Sequence, residues 1–372
     1  MKRVGNVNKV NWFEARPIIS KFVLTGFVCL ISFVFMEILL CGAEYFQYVK
    51  PANRSLFEKY REIYSDERDK EYIFGHHPDV EVLLVNGDNK YLFMTNAEGL
   101  RERKNYDGLE KSVIFLGDSI VEGVSVEPDE TMDEVFEFET GITALNFGVG
   151  SSNTVQEYYW LKNKYKKEYN AKLIILGFCL NDLFQNTYLR AFNPKKSNWA
   201  LYKYLDESEC RAYAGISPGI KQFLRKSRTI SFIYRARALF CQKKALNNGL
   251  PPDRYDEVSQ ENKMYTELYL KKIKSFAESI GAGFVVVIFP REKQMAVDYN
   301  DTNRRSQDAV IEILERNHIK YIDLYGVMKE KYFSEPDIKW FHDDTHPYKA
   351  GHKLIGEYLA QELPQSFPKA FQ

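Results

Sequence analysis

Three short polar stretches of the sequence carry side chains that can perform acyl transfer on a serine. Ser119 lies in a Gly-Asp-Ser turn directly after the apolar run VIFL, and Asp343 and His346 share the stretch DDTH near the C-terminus. A serine hydroxyl is a weak nucleophile until a base accepts its proton, and the ordinary histidine pKa of ~6.5 suits that base. A carboxylate fixes the histidine tautomer and stabilises the imidazolium that forms. The pattern therefore predicts Ser119 as nucleophile, His346 as base and Asp343 as its orienting carboxylate.

The same chemistry needs hydrogen-bond donors for the negative oxygen of the tetrahedral intermediate. We expect them from the backbone N–H of Ser119, from the turn NFGVGSSNT at Gly150 and Ser151, and from the side-chain amide of Asn181 in the stretch CLND. The residues themselves leave open whether Gly150 or Ser151 supplies the donor of that turn.

Other polar residues near these stretches leave alternatives open. His342 competes with His346 as the base, but the Asp-x-x-His spacing favours His346, and one helical turn is expected to place Asp343 and His346 on the same side. Asp344 and Asp182 are a second possibility, as a cation site. No Cys or His spacing is typical of a metal centre, so we predict neither a metal nor another cofactor.

The elements that position these residues follow from hydrophobic periodicity. Apolar runs begin near residues 113, 143, 173, 283 and 319, and segments with helical spacing separate them. Strands that are apolar throughout and alternate with helices indicate a doubly wound α/β domain whose parallel sheet is covered on both faces. Because ligands of such sheets bind beyond the carboxyl ends of the strands, the residues that follow each run should meet at one edge.

These motifs resemble the GDSL/SGNH hydrolase superfamily, whose blocks supply Ser, Gly, Asn and His in that order. FLGDSIVEG matches the serine block, GFCLND the asparagine block and DDTHPYKAGH the histidine block. In the glycine block, NFGVGSSNT, the family's oxyanion glycine corresponds to Ser151, which keeps the backbone N–H but not the conformational freedom of glycine. The resemblance implies a flavodoxin-like three-layer α/β/α sandwich with esterase, lipase, thioesterase or O-acyltransferase activity. TNAEGLRER, residues 95–103, resembles a segment of membrane-anchored bacterial members.

The N-terminus predicts a membrane anchor. Residues 22–43 carry a single charge, Glu37, and reach the ~20 apolar residues that span a bilayer. Residues 1–21 contain five Lys or Arg against Glu14 alone, which by the positive-inside rule predicts a cytoplasmic N-terminus and an extracytoplasmic catalytic domain. A cleaved signal peptide is the alternative, although the run is longer than a typical signal core.

We divide the rest of the chain into a helical stalk at 44–70, a lead-in segment at 71–110 and a hydrolase domain at 111–366. An insertion at about 185–256 interrupts that domain and is rich in Lys and Arg. It is either a lid that faces the substrate or headgroups, or a solvated helical elaboration. Within it, Cys210 and Cys241 form a disulfide or, together with Cys179, remain separate buried thiols.

The composition narrows the class of partners. Lys plus Arg and Asp plus Glu each total 51, so the net charge is zero and a general attraction to nucleic acid is not expected. The sequence predicts a membrane-anchored serine esterase that acts on an O-acyl ester of a small molecule, lipid or glycan, and the resemblance to the GDSL/SGNH superfamily implies a small, acetyl-like acyl group. An O-acyltransferase of an envelope glycan and a non-catalytic binding scaffold remain as alternatives. The sequence leaves the oligomeric state open.

Overall fold

The computed structural model describes residues 16–45, 63–66, 74–86, 89–186, 229, 258–295 and 301–372. The chain divides into two compact units, of which one contains the N-terminal helix and Thr229. The other unit contains all the described strands and every predicted site residue.

The N-terminal helix, α1, spans Pro17–Tyr45. Proline fits its first position because the N–H that proline lacks would have no partner there. Its stretch Ile18–Leu39 has a mean hydropathy of 2.4, and none of it is buried in the protein. This helix is long and apolar enough to cross a membrane, and helices of this kind serve as membrane spans or as signal sequences.

The centre of the second unit is a five-stranded parallel sheet. Its strands are β5 (Ser112–Gly117), β6 (Thr143–Gly148), β7 (Ala171–Cys179), β8 (Gly283–Phe289) and β9 (Lys320–Asp323). They lie in the order β6-β5-β7-β8-β9, so the strand order reverses between β5 and β7. Each strand coincides with one of the apolar runs, and the order is that of the flavodoxin-like fold.

Helices cover both faces of this sheet. They are α2 (Ser119–Glu122), α3 (Met132–Thr140), α4 (Thr154–Lys164), α5 (Leu180–Gln185), α6 (Gln260–Ser279), α7 (Glu292–Met295), α8 (Asp301–Arg316), α9 (Tyr325–Ser334), α10 (Lys349–Ser366) and α11 (Pro368–Phe371). Alternate residues of β5 point to opposite faces. Ile114 belongs to a core that includes Leu161 of α4 and Leu270 of α6, while Phe115 belongs to a core that includes Phe136 of α3 and Leu359 of α10. The prediction of a three-layer α/β/α sandwich is confirmed.

Two antiparallel strand pairs precede the sheet. β1 (Tyr64–Asp66) pairs with β2 (Phe74–His76), and β3 (Glu81–Asn86) forms a hairpin with β4 (Asn89–Met94). The hairpin agrees with the turn signal at Asn86-Gly87. The prediction of a helical stalk over 44–70 is wrong for Tyr64–Asp66, which form a strand because they pair with β2. Residues 46–62 and 67–70 of that prediction lie outside the described residues.

The basic insertion also lies outside the described residues, apart from its first two positions and Thr229. The prediction of a lid and the possible Cys210–Cys241 disulfide fall there and stay predictions. Of the other predicted thiols, Cys179 is a free, buried cysteine at the end of β7.

Candidate active site

Ser119 lies at the carboxyl edge of the sheet, immediately after β5. The turn that presents it is fixed by Asp118, whose carboxylate accepts a hydrogen bond from the N–H of Ile120 at 2.9 Å and so caps α2. Burial raises the pKa of Asp118, although the Ile120 N–H opposes that shift. The carboxyl ends of β5 and β7 flank the point where the strand order reverses, where open α/β sheets bind ligands. Asp118 therefore orders the turn, and Ser119 faces the crevice.

Three predicted side chains form a continuous hydrogen-bonded chain. Ser119 Oγ lies 2.8 Å from His346 Nε2, and His346 Nδ1 lies 2.9 Å from both carboxylate oxygens of Asp343. Because Asp343 accepts from Nδ1, the neutral imidazole has its lone pair on Nε2, facing the serine. This geometry lets His346 receive the proton of Ser119.

The loop that carries Asp343 and His346 differs from the predicted helical turn. Residues 341–347 form a closed loop in which Phe341 bridges Pro347 and the N–H of His342 donates to the carbonyl of His346 at 2.8 Å. Asp343 Oδ1 accepts from the backbone N–H groups of Thr345 and His346, both at 2.9 Å. An aspartate that bonds backbone two and three residues on forms such a tight turn without a helix. The expectation of one helical turn is therefore wrong, although its result, a contact between Asp343 and His346, is correct.

The electrostatics of this pair follow from burial and mutual contact. Burial by itself lowers the pKa of His346, but the hydrogen bond and charge of Asp343 outweigh it, so that the pKa is raised. Burial by itself raises the pKa of Asp343, but His346 and the two backbone N–H groups hold it well below its usual range. Asp343 therefore stays ionised near neutral pH, as its predicted role of orienting carboxylate requires.

Arg291 is a site residue that the sequence reasoning missed. It follows β8, its side chain is largely buried, and its guanidinium forms an ion pair with Asp344, the neighbour of Asp343. The N–H groups of Glu292 and Lys293 also donate to Asp344, at 2.9 and 3.1 Å. Asp344 thus anchors the loop of residues 341–347 to the end of β8. Arg291 closely follows the apolar run that begins near residue 283, and the residues after that run were the only ones left out of the site prediction.

The turn after β6 provides the predicted backbone donors. The N–H of Gly150 already donates to the buried carboxylate of Glu122 at 2.8 Å. Ser151 has a φ of 64°, the left-handed conformation that glycine adopts most readily, so this serine keeps the backbone expected of the family's glycine. Its N–H donates to no group in the described part of the chain. Ser151 is thus favoured over Gly150 as second donor, and this role stays a prediction.

Asn181 occupies the second position of α5, directly after β7. It is partly exposed, and its Oδ1 atom is buried without a hydrogen-bond partner among the described residues. The structure thus places Asn181 at the same sheet edge as Ser119, and its role as an oxyanion donor stays a prediction.

The remaining candidates have local structural roles. His352 is buried, its Nδ1 accepts from the N–H of Met132, and burial lowers its pKa to about 3. Burial also lowers the pKa of His342, the alternative base, whereas His346 is the histidine in contact with Ser119. Asp182 is buried and accepts from the hydroxyl of Thr154. Over the described ranges no cluster of three or more His, Cys, Asp or Glu side chains is arranged to hold a metal ion.

Comparison with known proteins identifies the family. The model of the GDSL-like lipase/acylhydrolase family matches residues 115–354, which is more than half of the chain. The chain belongs to the GDSL-like lipase/acylhydrolase family. The match begins in β5 and includes Ser119, Asn181, Asp343 and His346. No match is found among curated proteins.

Several solved structures are similar to the chain at low identity. A lipolytic G-D-S-L family protein from Veillonella parvula DSM 2008 is 13% identical, with 68% of this chain and 99% of that chain covered and a TM-score of 0.40. A GDSL-like lipase from Bacteroides thetaiotaomicron VPI-5482 is 12% identical, with coverages of 69% and 89% and a TM-score of 0.38. An acetyl xylan esterase is 11% identical, with coverages of 68% and 98% and a TM-score of 0.40.

Proposed function

We propose that this GDSL-family hydrolase is a membrane-anchored serine esterase that removes a small, acetyl-like acyl group through an acyl-enzyme on Ser119. The observation that carries the proposal is the 2.8 Å contact between Ser119 Oγ and His346 Nε2, with Asp343 hydrogen-bonded to Nδ1. Nucleophile, base and orienting carboxylate are in contact, which is the arrangement that activates a serine. The choice of a small acyl group rests on the range of esters that the family accepts.

In the first half of the reaction, Ser119 Oγ attacks the ester carbonyl carbon as its proton passes to His346 Nε2. The carbonyl oxygen becomes negative, and the N–H groups of Ser119 and Ser151 with the amide of Asn181 stabilise it. The intermediate collapses by breaking the bond to the alcohol oxygen, which takes the proton from His346. The products are a free alcohol and the acyl-enzyme.

In the second half, water attacks the acyl carbon and gives its proton to His346. Collapse of the second intermediate breaks the bond to Ser119 Oγ, which recovers its proton from His346, and the acid leaves. Atoms and protons balance without a cofactor. Asp343 remains ionised throughout because its pKa is held far below neutrality.

Membrane anchoring is supported by the length and hydropathy of Ile18–Leu39. The excess of Lys and Arg in residues 1–21 supports a cytoplasmic N-terminus and an extracytoplasmic catalytic domain. Retention of the protein in membranes after alkaline washing, with a C-terminal tag accessible to protease only from the outside of intact cells, tests both points.

The decisive experiment for the activity uses the full chain in detergent with a fluorophosphonate probe, which reacts with activated serines. We expect the wild type and Ser279→Ala, a control at an exposed serine of α6, to be labelled, whereas Ser119→Ala is not. Acetate release from an acetyl ester, without any added acceptor alcohol, then establishes hydrolysis. Well-folded wild-type protein that is not labelled contradicts the proposal, as does labelling that persists in Ser119→Ala.

A further inference from the structure

The search for further function leads to a buried carboxylate behind the oxyanion turn. Glu122 is the last residue of α2 and is 1% exposed. It contacts three groups: the Gly150 N–H at 2.8 Å, the Tyr64 hydroxyl at 2.8 and 3.0 Å, and His76 Nε2 at 2.6 Å. A buried carboxylate needs such partners to offset the cost of leaving water. The positions of these partners in the sequence show which segments of the chain Glu122 connects.

Two of these partners come from the segment that precedes the hydrolase sheet. Tyr64 of β1 lies directly opposite His76 of β2 in the antiparallel register, so both side chains emerge on the same face of the strand pair. Their rings are 5.2 Å apart, and His76 also packs edge-to-face against Phe93 at 5.3 Å. The strand pair therefore delivers two donors to one carboxylate.

The hydrogen bonds of His76 restrict where its protons lie. Its Nδ1 is 3.1 Å from the carbonyl oxygen of Gly99, which only accepts, so Nδ1 carries a proton. One further proton must lie between Nε2 and Glu122 Oε1 for their 2.6 Å contact to be a hydrogen bond. Oε1 also accepts from the Gly150 N–H and the Tyr64 hydroxyl, so one carboxylate oxygen joins three groups. The cluster is a buried hydrogen-bond network centred on Glu122.

The third partner, the Gly150 N–H, links the Glu122 cluster to the turn that carries Ser151. A Cβ atom on Gly150 would lie 2.3 Å from the Tyr64 hydroxyl and 2.8 Å from Glu122 Oε2, so only glycine permits this approach. On its other side the turn is tied to β5, because the N–H of Val149 donates to the carbonyl of Gly117 at 3.0 Å. The peptide between Val149 and Gly150 is thus fixed, and it directly precedes the peptide that carries the predicted oxyanion donor, the Ser151 N–H.

We propose that Glu122, held by Tyr64 and His76, positions the Ser151 N–H for the oxyanion. These three are positioning residues, since they act through the Gly150 peptide rather than on substrate. The inference rests on the proposed esterase function and adds to it that β1 and β2 complete the hydrolytic site. Without the carboxylate, the Gly150 peptide loses its acceptor and the next N–H loses its fixed direction.

The test compares two tyrosines that make the same kind of hydrogen bond. Tyr64→Phe removes a hydroxyl that donates to Glu122, whereas Tyr106→Phe removes one that donates at 3.0 Å to the buried Glu102, which accepts from the backbone of Asn146 in β6 rather than from Gly150. Glu122→Ala removes the acceptor of Gly150, and Glu122→Gln retains an oxygen for it. Each full-length variant in detergent is assayed for kcat and KM on p-nitrophenyl acetate, for fluorophosphonate labelling rate and for melting temperature, with kcat expressed per labelled serine.

Loss of a whole oxyanion donor costs ~100- to 1,000-fold in kcat, so a misdirected donor should cost a large part of that. We expect Glu122→Ala to lower kcat and labelling rate in parallel by ~10- to 100-fold, Tyr64→Phe by ~3- to 10-fold, and KM to stay within about twofold. Glu122→Gln should recover most of the loss, and Tyr106→Phe should match the wild type.

The proposal is overturned if Tyr64→Phe loses no more kcat than Tyr106→Phe, or if Glu122→Ala retains wild-type kcat per labelled serine. A fall confined to melting temperature and to the fraction of labelled protein also overturns it, because that pattern shows only a folding role. If the wild type itself is not labelled, the failure belongs to the proposed function instead. The two failures are thereby distinguished.

Discussion

The backbone of Ser151 allows a quantitative test of the site. A non-glycine residue in the left-handed region costs roughly 1–2 kcal/mol, and the φ of 64° places Ser151 there. Glycine removes this strain but has a larger unfolded-state entropy, which costs roughly 0.5–1 kcal/mol. Ser151→Gly should therefore raise the free energy of unfolding by about 0.5–1 kcal/mol. For a domain of this size, that corresponds to a rise of about 1–4 °C in melting temperature.

The matched control is Ser151→Ala, which keeps the Cβ atom and hence the strain. Because Ser151 is exposed, losing its hydroxyl should change stability little, so the alanine variant should melt with the wild type. Both variants retain the backbone N–H, and kcat on p-nitrophenyl acetate should stay within about threefold of the wild type. Thermal melts followed by circular dichroism, with esterase assays on the same samples, provide the comparison. The reasoning is refuted if Ser151→Gly melts below Ser151→Ala, or if either variant loses more than about tenfold in kcat.

Two further predictions concern titration. Asp343→Asn should lower kcat by on the order of 10³–10⁴-fold. It should also move the acidic limb of the kcat/KM profile to lower pH, because Asp343 raises the pKa of His346. An acidic limb that does not move contradicts this assignment. Burial, followed by the charge of Glu134, raises the pKa of Asp133 to about 7, above its ordinary 3.8, so the folded state holds a proton there that the unfolded chain releases. The contribution of this proton to the free energy of unfolding is complete below pH ~4 and is lost as pH rises towards ~7. The loss amounts to about 4 kcal/mol at ~1.4 kcal/mol per pH unit. Asp133→Asn keeps an acceptor for the Asn146 amide. In urea melts between pH 4 and pH 7, this variant should lack the fall in the free energy of unfolding that Asp133 causes. An equal fall in the variant and the wild type refutes the prediction.

The sheet and the catalytic motif were predictable from the sequence because their signals are local. The run GFVVVIF coincides with β8, Gly283–Phe289, and the other four runs agree with their strands to within two residues. A fully buried parallel strand is apolar throughout, so its limits are visible in the sequence. Ser119, Asn181 and His346 follow from their place after these elements and from the family motifs.

The parts that sequence reasoning missed depend on contacts between distant segments. Glu122 and His76 are 46 positions apart, and Arg291 and Asp344 are 53 apart. His76 and His77 precede Pro78, and nothing in their neighbouring sequence shows whether they lie in a loop or pair with a carboxylate in the core. A signal was nevertheless present in Glu122, a charged residue in the otherwise apolar stretch SIVEG beside the nucleophile, since buried charges require partners.

The pairing of β1 with β2 has a practical consequence for anyone who wishes to study this enzyme without its apolar helix. A soluble fragment that begins at residue 111 would contain the whole serine, asparagine and histidine motif set, yet it would leave Glu122 with one of its three described partners. Such a fragment would bury the Glu122 carboxylate without its tyrosine and histidine partners, and its expected inactivity would be mistaken for the absence of an enzyme. Truncation should instead fall before Ile63, a buried residue of the cluster that also contains Tyr91 and Phe93. We therefore expect an active fragment to begin about fifty residues upstream of the family match at residues 115–354.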